Sequence, residues 1–146
     1  MKHNLSKISM AALALLFVAL VGLSSCKKDK DDDNQPTPTQ QLVGDWEIKS
    51  FTIDGVEIKG TIVLSSKIEF EEYTGSNGDF EWTIIYTDGS SEVATGDYEV
   101  DEADREVKLE NDNGETLKFD FDLDGDDLEL SGTLDGERYV LKTERD

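Results

Sequence analysis

Thr116-Leu117-Lys118-Phe119-Asp120-Phe121-Asp122-Leu123 decides the fold of this chain, because apolar and polar residues alternate in it one by one. Successive side chains of a strand point to opposite faces. The run therefore predicts a strand with a dry face of Leu117, Phe119, Phe121 and Leu123 and a wet face of Thr116, Lys118, Asp120 and Asp122. Phe80, Trp82, Ile84 and Tyr86 repeat the pattern. Ile68 with Phe70, Tyr98 with Val100, Val107 with Leu109, Leu128 with Leu130 and Tyr139 with Leu141 give shorter versions. In the first strand, Trp46 and Ile48 share one parity while Phe51 and Ile53 take the other; a bulge near Lys49 and Ser50 reconciles them.

Between the apolar runs stand Asp54-Gly55, Asn77-Gly78, Asp88-Gly89, Asn113-Gly114, Asp124-Gly125 and Asp135-Gly136. Such pairs tolerate the left-handed backbone of tight hairpin turns. The pattern predicts an all-β, antiparallel up-and-down meander of eight or nine strands, near 46–53, 56–64, 67–73, 79–87, 93–100, 105–110, 115–123, 127–132 and 137–143, with no amphipathic helix. A meander with one apolar face either closes into a barrel, which removes its edges, or folds into a β-sandwich; closure is the expectation here. A barrel of eight strands is just wide enough to be filled by side chains or to hold one small ligand. The inward aromatics, with the aliphatics between them, could fill it outright. If a pocket exists, Phe80, Trp82, Tyr98 and Phe119 are its candidate wall residues.

Ahead of this domain, Lys2, His3 and Lys7 precede an uncharged stretch of 14 residues from Ile8 to Val21, followed by Leu23-Ser24-Ser25-Cys26. The stretch is too short to span a bilayer, which takes roughly 20 residues, and has the layout of a secretory signal. Leu23-Ser24-Ser25-Cys26 resembles the lipobox of bacterial lipoproteins. That resemblance implies that residues 1–25 are a signal peptide, that the thiol of Cys26 carries diacylglycerol and that its freed amine is acylated, so the protein is held at a membrane by lipid. Residues 26–41 then form a tether, with both prolines of the chain, Pro36 and Pro38, and no large apolar side chain between 27 and 41. Its Lys and Asp cluster directly after Cys26 is similar to the surface-export signal of lipoproteins in one large group of Gram-negative bacteria, which implies the outer membrane, facing outward, with the periplasmic face as the alternative.

Of the 14 Lys and Arg, Lys2 and Lys7 lie ahead of Cys26, so 12 face 34 Asp and Glu in the mature chain, a formal charge of −22. A polyanion of this kind repels phosphate backbones, and nucleic acid is excluded as a partner. His3 is the one histidine and Cys26 the one cysteine. A mature domain without imidazole or free thiol has no Ser-His-Asp or Cys-His nucleophile and no zinc, copper or haem ligands, and it must fold without disulfides. Carboxylates remain, but 30 of them between Leu42 and Asp146 make close pairs commonplace. No enzyme and no cofactor are expected.

Leu42-Val43-Gly44-Asp45-Trp46 resembles the Gly-x-Trp opening of lipocalin-like domains. The resemblance implies a lipocalin-like β-barrel over residues 42–146, with Gly44 and Trp46 at one barrel end. It also implies a basic residue at the end of the last strand packed over the Trp: Arg145, with Lys142 or Arg138 as substitutes. The chain is shorter than that family's usual members and lacks their C-terminal helix. Asp122, Asp124 and Asp126, around Gly125, are weak candidates for Ca²⁺, although their spacing departs from a Ca²⁺-binding loop and a solvated turn is the default. The expected protein is thus a monomeric, membrane-anchored lipoprotein that binds a small hydrophobic ligand. The alternatives are a non-catalytic surface module for a protein or glycan, with a filled core, and an accessory of the envelope. An enclosed space of about 300 Å³ or more favours the first, and an exposed apolar patch near Ile85 or Val140 the second.

Overall fold

A computed structural model describes residues 35–146; the stretch read as a signal peptide, Cys26 and nearly all of the segment read as a tether lie outside the described residues. A short helix α1 (Pro38–Leu42) leads into β1 (Gly44–Ile53), β2 (Val56–Glu57), β3 (Val63–Phe70), β4 (Gly78–Tyr86) and β5 (Ser91–Asp101). These are followed by β6 (Glu106–Asn111), β7 (Thr116–Asp124), β8 (Asp127–Leu134) and β9 (Glu137–Arg145). From β3 to β9 each strand pairs antiparallel with the next, and β1 joins β3 on one side and β9 on the other. The meander is therefore a closed eight-stranded barrel, with β2 as a two-residue addition to the end of β1.

Closure runs along nearly all of β1, from Trp46 opposite Arg145 to Ile53 opposite Tyr139, with the register slipping between Ile48 and Ser50. That slip is the expected bulge. It turns Trp46, Ile48 and Phe51 all inward, where each is buried. The decisive run also behaves as its alternation requires, with Phe119 and Phe121 buried and Lys118, Asp120 and Asp122 exposed.

Three local expectations are corrected. The strand expected over 56–64 stops at Glu57, and Ile58 to Val63 instead coil so that the Ile58 carbonyl accepts the N–H groups of Thr61, Ile62 and Val63. Alternating apolar residues there imitate a strand, but Gly60 at φ +84° turns the chain. The turn assigned to Asn77-Gly78 lies upstream, where Thr74 bridges Asn77 around Gly75 and Ser76; Gly78 already belongs to β4. A helix was not expected, yet α1 forms because Thr37 caps it reciprocally with Gln40 and Pro38 pre-sets its first turn. Ordered structure thus begins inside the segment read as tether.

Candidate ligand cavity

The two ends of the barrel differ. At the end where β1 begins, Trp46 and Leu42 are wholly buried, and the Trp46 Nε1–H donates to the Leu42 carbonyl at 2.7 Å. Arg145 lies over the indole, its Cζ 4.2 Å from the ring centroid. Its Nη1 donates to the Val43 carbonyl at 2.8 Å and its Nη2 to the Gln41 carbonyl at 2.5 Å. Gly44 explains the motif's first position: its φ is +128°, and a Cβ there would stand 2.7 Å from Arg145 Nη1. Thr39 Oγ1 donates to Glu102 at 2.6 Å, tying α1 to the β5–β6 turn, and this bond with that of the Thr39 N–H holds the Glu102 carboxyl below its usual range. The alternatives to Arg145 lie elsewhere: Lys142 is exposed beside Glu129, 3.7 Å away, and the Arg138 N–H bonds Asp54 at the opposite end.

At that opposite end the interior is open. A cavity of about 500 Å³ is lined by side chains of Phe51, Ile58, Trp82, Ile84, Phe119 and Tyr139, and further by Ile53, Ile62, Val63, Tyr86, Leu117 and Leu134. The expectation that aromatics fill the barrel outright is thereby corrected: they fill one half. Phe51, Phe119 and Tyr139 form an aromatic wall, with Trp82 6.2 Å from Phe51 and 6.4 Å from Phe119 between ring centroids. Trp82 spends its one polar atom away from the space, donating to Ser66 Oγ at 2.9 Å, and Ser66 in turn donates to the Thr83 carbonyl at 3.1 Å. The wall is left without an unsatisfied donor at its largest ring.

Of the four candidate wall residues, Trp82 and Phe119 line the cavity and Phe80 and Tyr98 do not. Tyr98 belongs to the closed half. Its ring packs edge-on against Phe70 at 4.9 Å and covers Gly78, where a Cβ would lie 2.5 Å from Tyr98 Cε1. Its hydroxyl donates to the Glu71 carbonyl at 2.7 Å, and burial, with Tyr73 and Asp79 nearby, pushes it up to about 12. Phe80, one inward position below Trp82, is buried in the same half. Sequence reasoning missed most of the lining because alternation gives the face of a residue and not its height. The usable signal was distance from Trp46: the apolar inward residues of β1, β3, β4, β7, β8 and β9 that lie far from the Trp46 end line the space.

The connection from Asp54 to Ile62 folds across the mouth as a flap, with Ile58 and Ile62 against the cavity. Glu57 anchors it, accepting from Ser50 Oγ, from the Phe51 N–H at 2.8 Å and from the Lys59 N–H at 3.0 Å. Burial opposes ionisation of Glu57, but these bonds outweigh it and hold the carboxyl below the usual range. On the far side, the Thr87 N–H and hydroxyl both donate to the Ile62 carbonyl, at 3.0 and 3.3 Å.

The carboxylates near Gly125 do not converge. Asp122 faces Arg105 at 3.6 Å and Asp126 faces Arg145 at 3.7 Å, and among the described residues no three acids, histidines or cysteines stand close enough to hold a metal ion. On the outer wall, Ile85 is paired between Ser65 and Ser91, with Leu64 next to Ser65 and Val93 two residues beyond Ser91, 58% and 55% exposed, whereas Val140 is half-buried.

No family model and no curated protein matches this chain. Solved structures do. A de novo designed, fluorescence-activating β-barrel matches with a TM-score of 0.56 at 19% identity, over 77% of this chain and 100% of its own. A redesigned β-barrel matches with a TM-score of 0.57 at 16% identity, over 74% and 94%. At such identity the likeness establishes the fold, a closed antiparallel β-barrel.

Proposed function

We propose that this protein is an outer-membrane lipoprotein, anchored through lipid on Cys26 and facing outward, whose barrel binds a small hydrophobic ligand in the cavity between Trp82, Phe119 and the flap. The observation that carries the ligand reading is the cavity itself: about 500 Å³ with a mainly apolar wall, within the range of sites that take small molecules. A designed barrel of the same fold is described as fluorescence-activating, which makes a fluorogenic apolar dye the first probe. Residues 36–146 form a compact unit by themselves. Native mass spectrometry of that unit after exposure to bacterial lipid extract should show an adduct that Trp82→Ala and Phe119→Ala weaken. A bare mass in every extract would count against ligand carriage.

The anchoring reading rests on Leu23-Ser24-Ser25-Cys26 and is tested separately. Cells expressing the full chain should incorporate labelled palmitate into it, Cys26→Ser should abolish the label, and protease added to intact cells should remove the domain. The outer apolar strip of Leu64, Ile85 and Val93 supports a second reading, in which the same domain also contacts a protein partner; Ile85→Lys should then abolish capture of that partner while leaving dye binding intact.

A further inference from the structure

The wall of the cavity carries no inward charge among the described residues. Its one charged member, Lys118, turns its side chain outward to Glu106, with Nζ 2.8 Å from Oε1. An ionised headgroup drawn inside would find no counter-ion. What stands at the mouth is negative, and it stands at positions where the strand pattern calls for apolar side chains. Glu92 has the inward parity of Ala94 and Tyr98 and sits opposite Ile84 of the wall. Glu137 has the inward parity of Tyr139 and sits opposite Leu134.

Both carboxylates are held there by the wall's own tyrosines. The Tyr86 hydroxyl donates to Glu92 at 2.8 Å and the Tyr139 hydroxyl to Glu137 at 3.2 Å. The bond to Glu92, then burial, pushes the Tyr86 hydroxyl up, and burial, then Glu137, does the same for Tyr139, so both remain proton donors near neutrality. Asp54, Asp88 and Asp135 occupy turns at the same end, against Lys59 and Arg138.

Resting on the reading of the cavity as a ligand site, we infer that it selects by headgroup charge: it takes uncharged or cationic amphiphiles, tail inward, and rejects anionic ones such as fatty acids. A tail in the wall's apolar half leaves its head at the level of Glu92 and Glu137. An ammonium there gains the two carboxylates and the faces of Tyr86 and Tyr139. A hydroxyl head loses nothing. A carboxylate head meets like charge at the rim of a low-dielectric space, where repulsion is weakly screened.

The test is displacement of Nile red, an uncharged apolar dye, from residues 36–146 by three amphiphiles of one chain length: decanol, decyltrimethylammonium and decanoate. At low salt and pH 8, decyltrimethylammonium and decanol should compete, and decanoate should be weaker by about tenfold or more. High salt and the double variant Glu92→Gln, Glu137→Gln should both narrow that gap; these exposed residues can be changed without disturbing the core. Decanoate competing as well as decanol would overturn the charge selection while leaving the cavity as a ligand site. Failure of all three, with no dye bound, would overturn both.

Discussion

Ile84→Phe and Ile68→Phe make the same chemical change in the two halves of the barrel, and the structure requires opposite outcomes. Ile84 borders the cavity, between Trp82 and Tyr86 on the inner face of β4. Phenylalanine there adds three carbons to space already present. At about 0.8 kcal/mol per buried CH₂ the ceiling is roughly 2 kcal/mol; with part of the ring wet at the mouth, the gain is about 1 to 2 kcal/mol. For a domain near 100 residues that raises Tm by about 4 to 8 °C. Ile68 is 1% exposed, is paired between Trp46 and Trp82, and does not line the cavity. The same three carbons must displace neighbours, at a cost of about 1 to 3 kcal/mol, and Tm falls. Thermal unfolding followed by circular dichroism measures both, and a Nile red titration should show Ile84→Phe binding dye more weakly. If Ile84→Phe lowers Tm as far as Ile68→Phe does, the space is not a void in solution and the ligand reading loses its basis.

The closed end should behave as one coupled unit. Gly44→Ala forces a Cβ onto a backbone at φ +128° and against Arg145, costing about 1 to 3 kcal/mol. Arg145→Ala uncovers Trp46 at a similar cost, and chemical denaturation of the double variant should fall short of the sum; strict additivity would refute the contact. Alkaline pH should destabilise through Tyr98. Its folded-state value, about 12, is raised above the unfolded value of 10.0, so its stabilisation is complete below pH 10 and is lost as pH climbs through 12. The loss is about 2 to 3 kcal/mol at most, and Tyr98→Phe should flatten that part of the stability curve. Thr87→Val removes the hydroxyl that holds the flap to the β4–β5 turn; stopped-flow dye release should quicken several-fold with Tm nearly unchanged, and unchanged release would place the exit elsewhere.

Fold class was legible because a strand's side-chain period is two and a one-residue slip would expose every aromatic on its face. Phe119 and Phe121 could only be read one way, and the parity conflict between Ile48 and Phe51 marked the bulge. The short-range signals failed where two causes share one spelling. Ile58 and Ile62 look like the continuation of a strand and belong to a flap, because what bends the chain there is the hydrogen bonding at the Ile58 carbonyl and at Glu57, contacts that alternation does not encode. Gly78 looked like a turn glycine and is a cradle for Tyr98, a neighbour on β5. The candidate site was half legible for the same reason. Trp82 and Phe80 share a face and a composition, and their different roles depend on which barrel end is plugged.

Plugging one end is what permits the other to stay open. A domain without disulfides has little stability to spare, and an apolar wall left uncovered forgoes the transfer free energy that burying it would supply. Here the closed half concentrates the compensating contacts: Arg145 on Trp46, Tyr98 between Phe70 and Gly78, and α1 fastened by Thr39 to Glu102. The open half keeps its polar groups out of the cavity and in use, with the Trp82 N–H on Ser66, Tyr86 on Glu92 and Tyr139 on Glu137. Each of those bonds leaves an aromatic face available and places a carboxylate or hydroxyl beyond it. Changes in the wall should therefore alter what binds more than whether the barrel folds, and changes around Trp46 the reverse. The Gly44-x-Trp46 motif thus bears on the barrel's stability, and on the proposed reading ligand choice would rest with Trp82 and Phe119 in the wall and with Glu92 and Glu137 at the mouth.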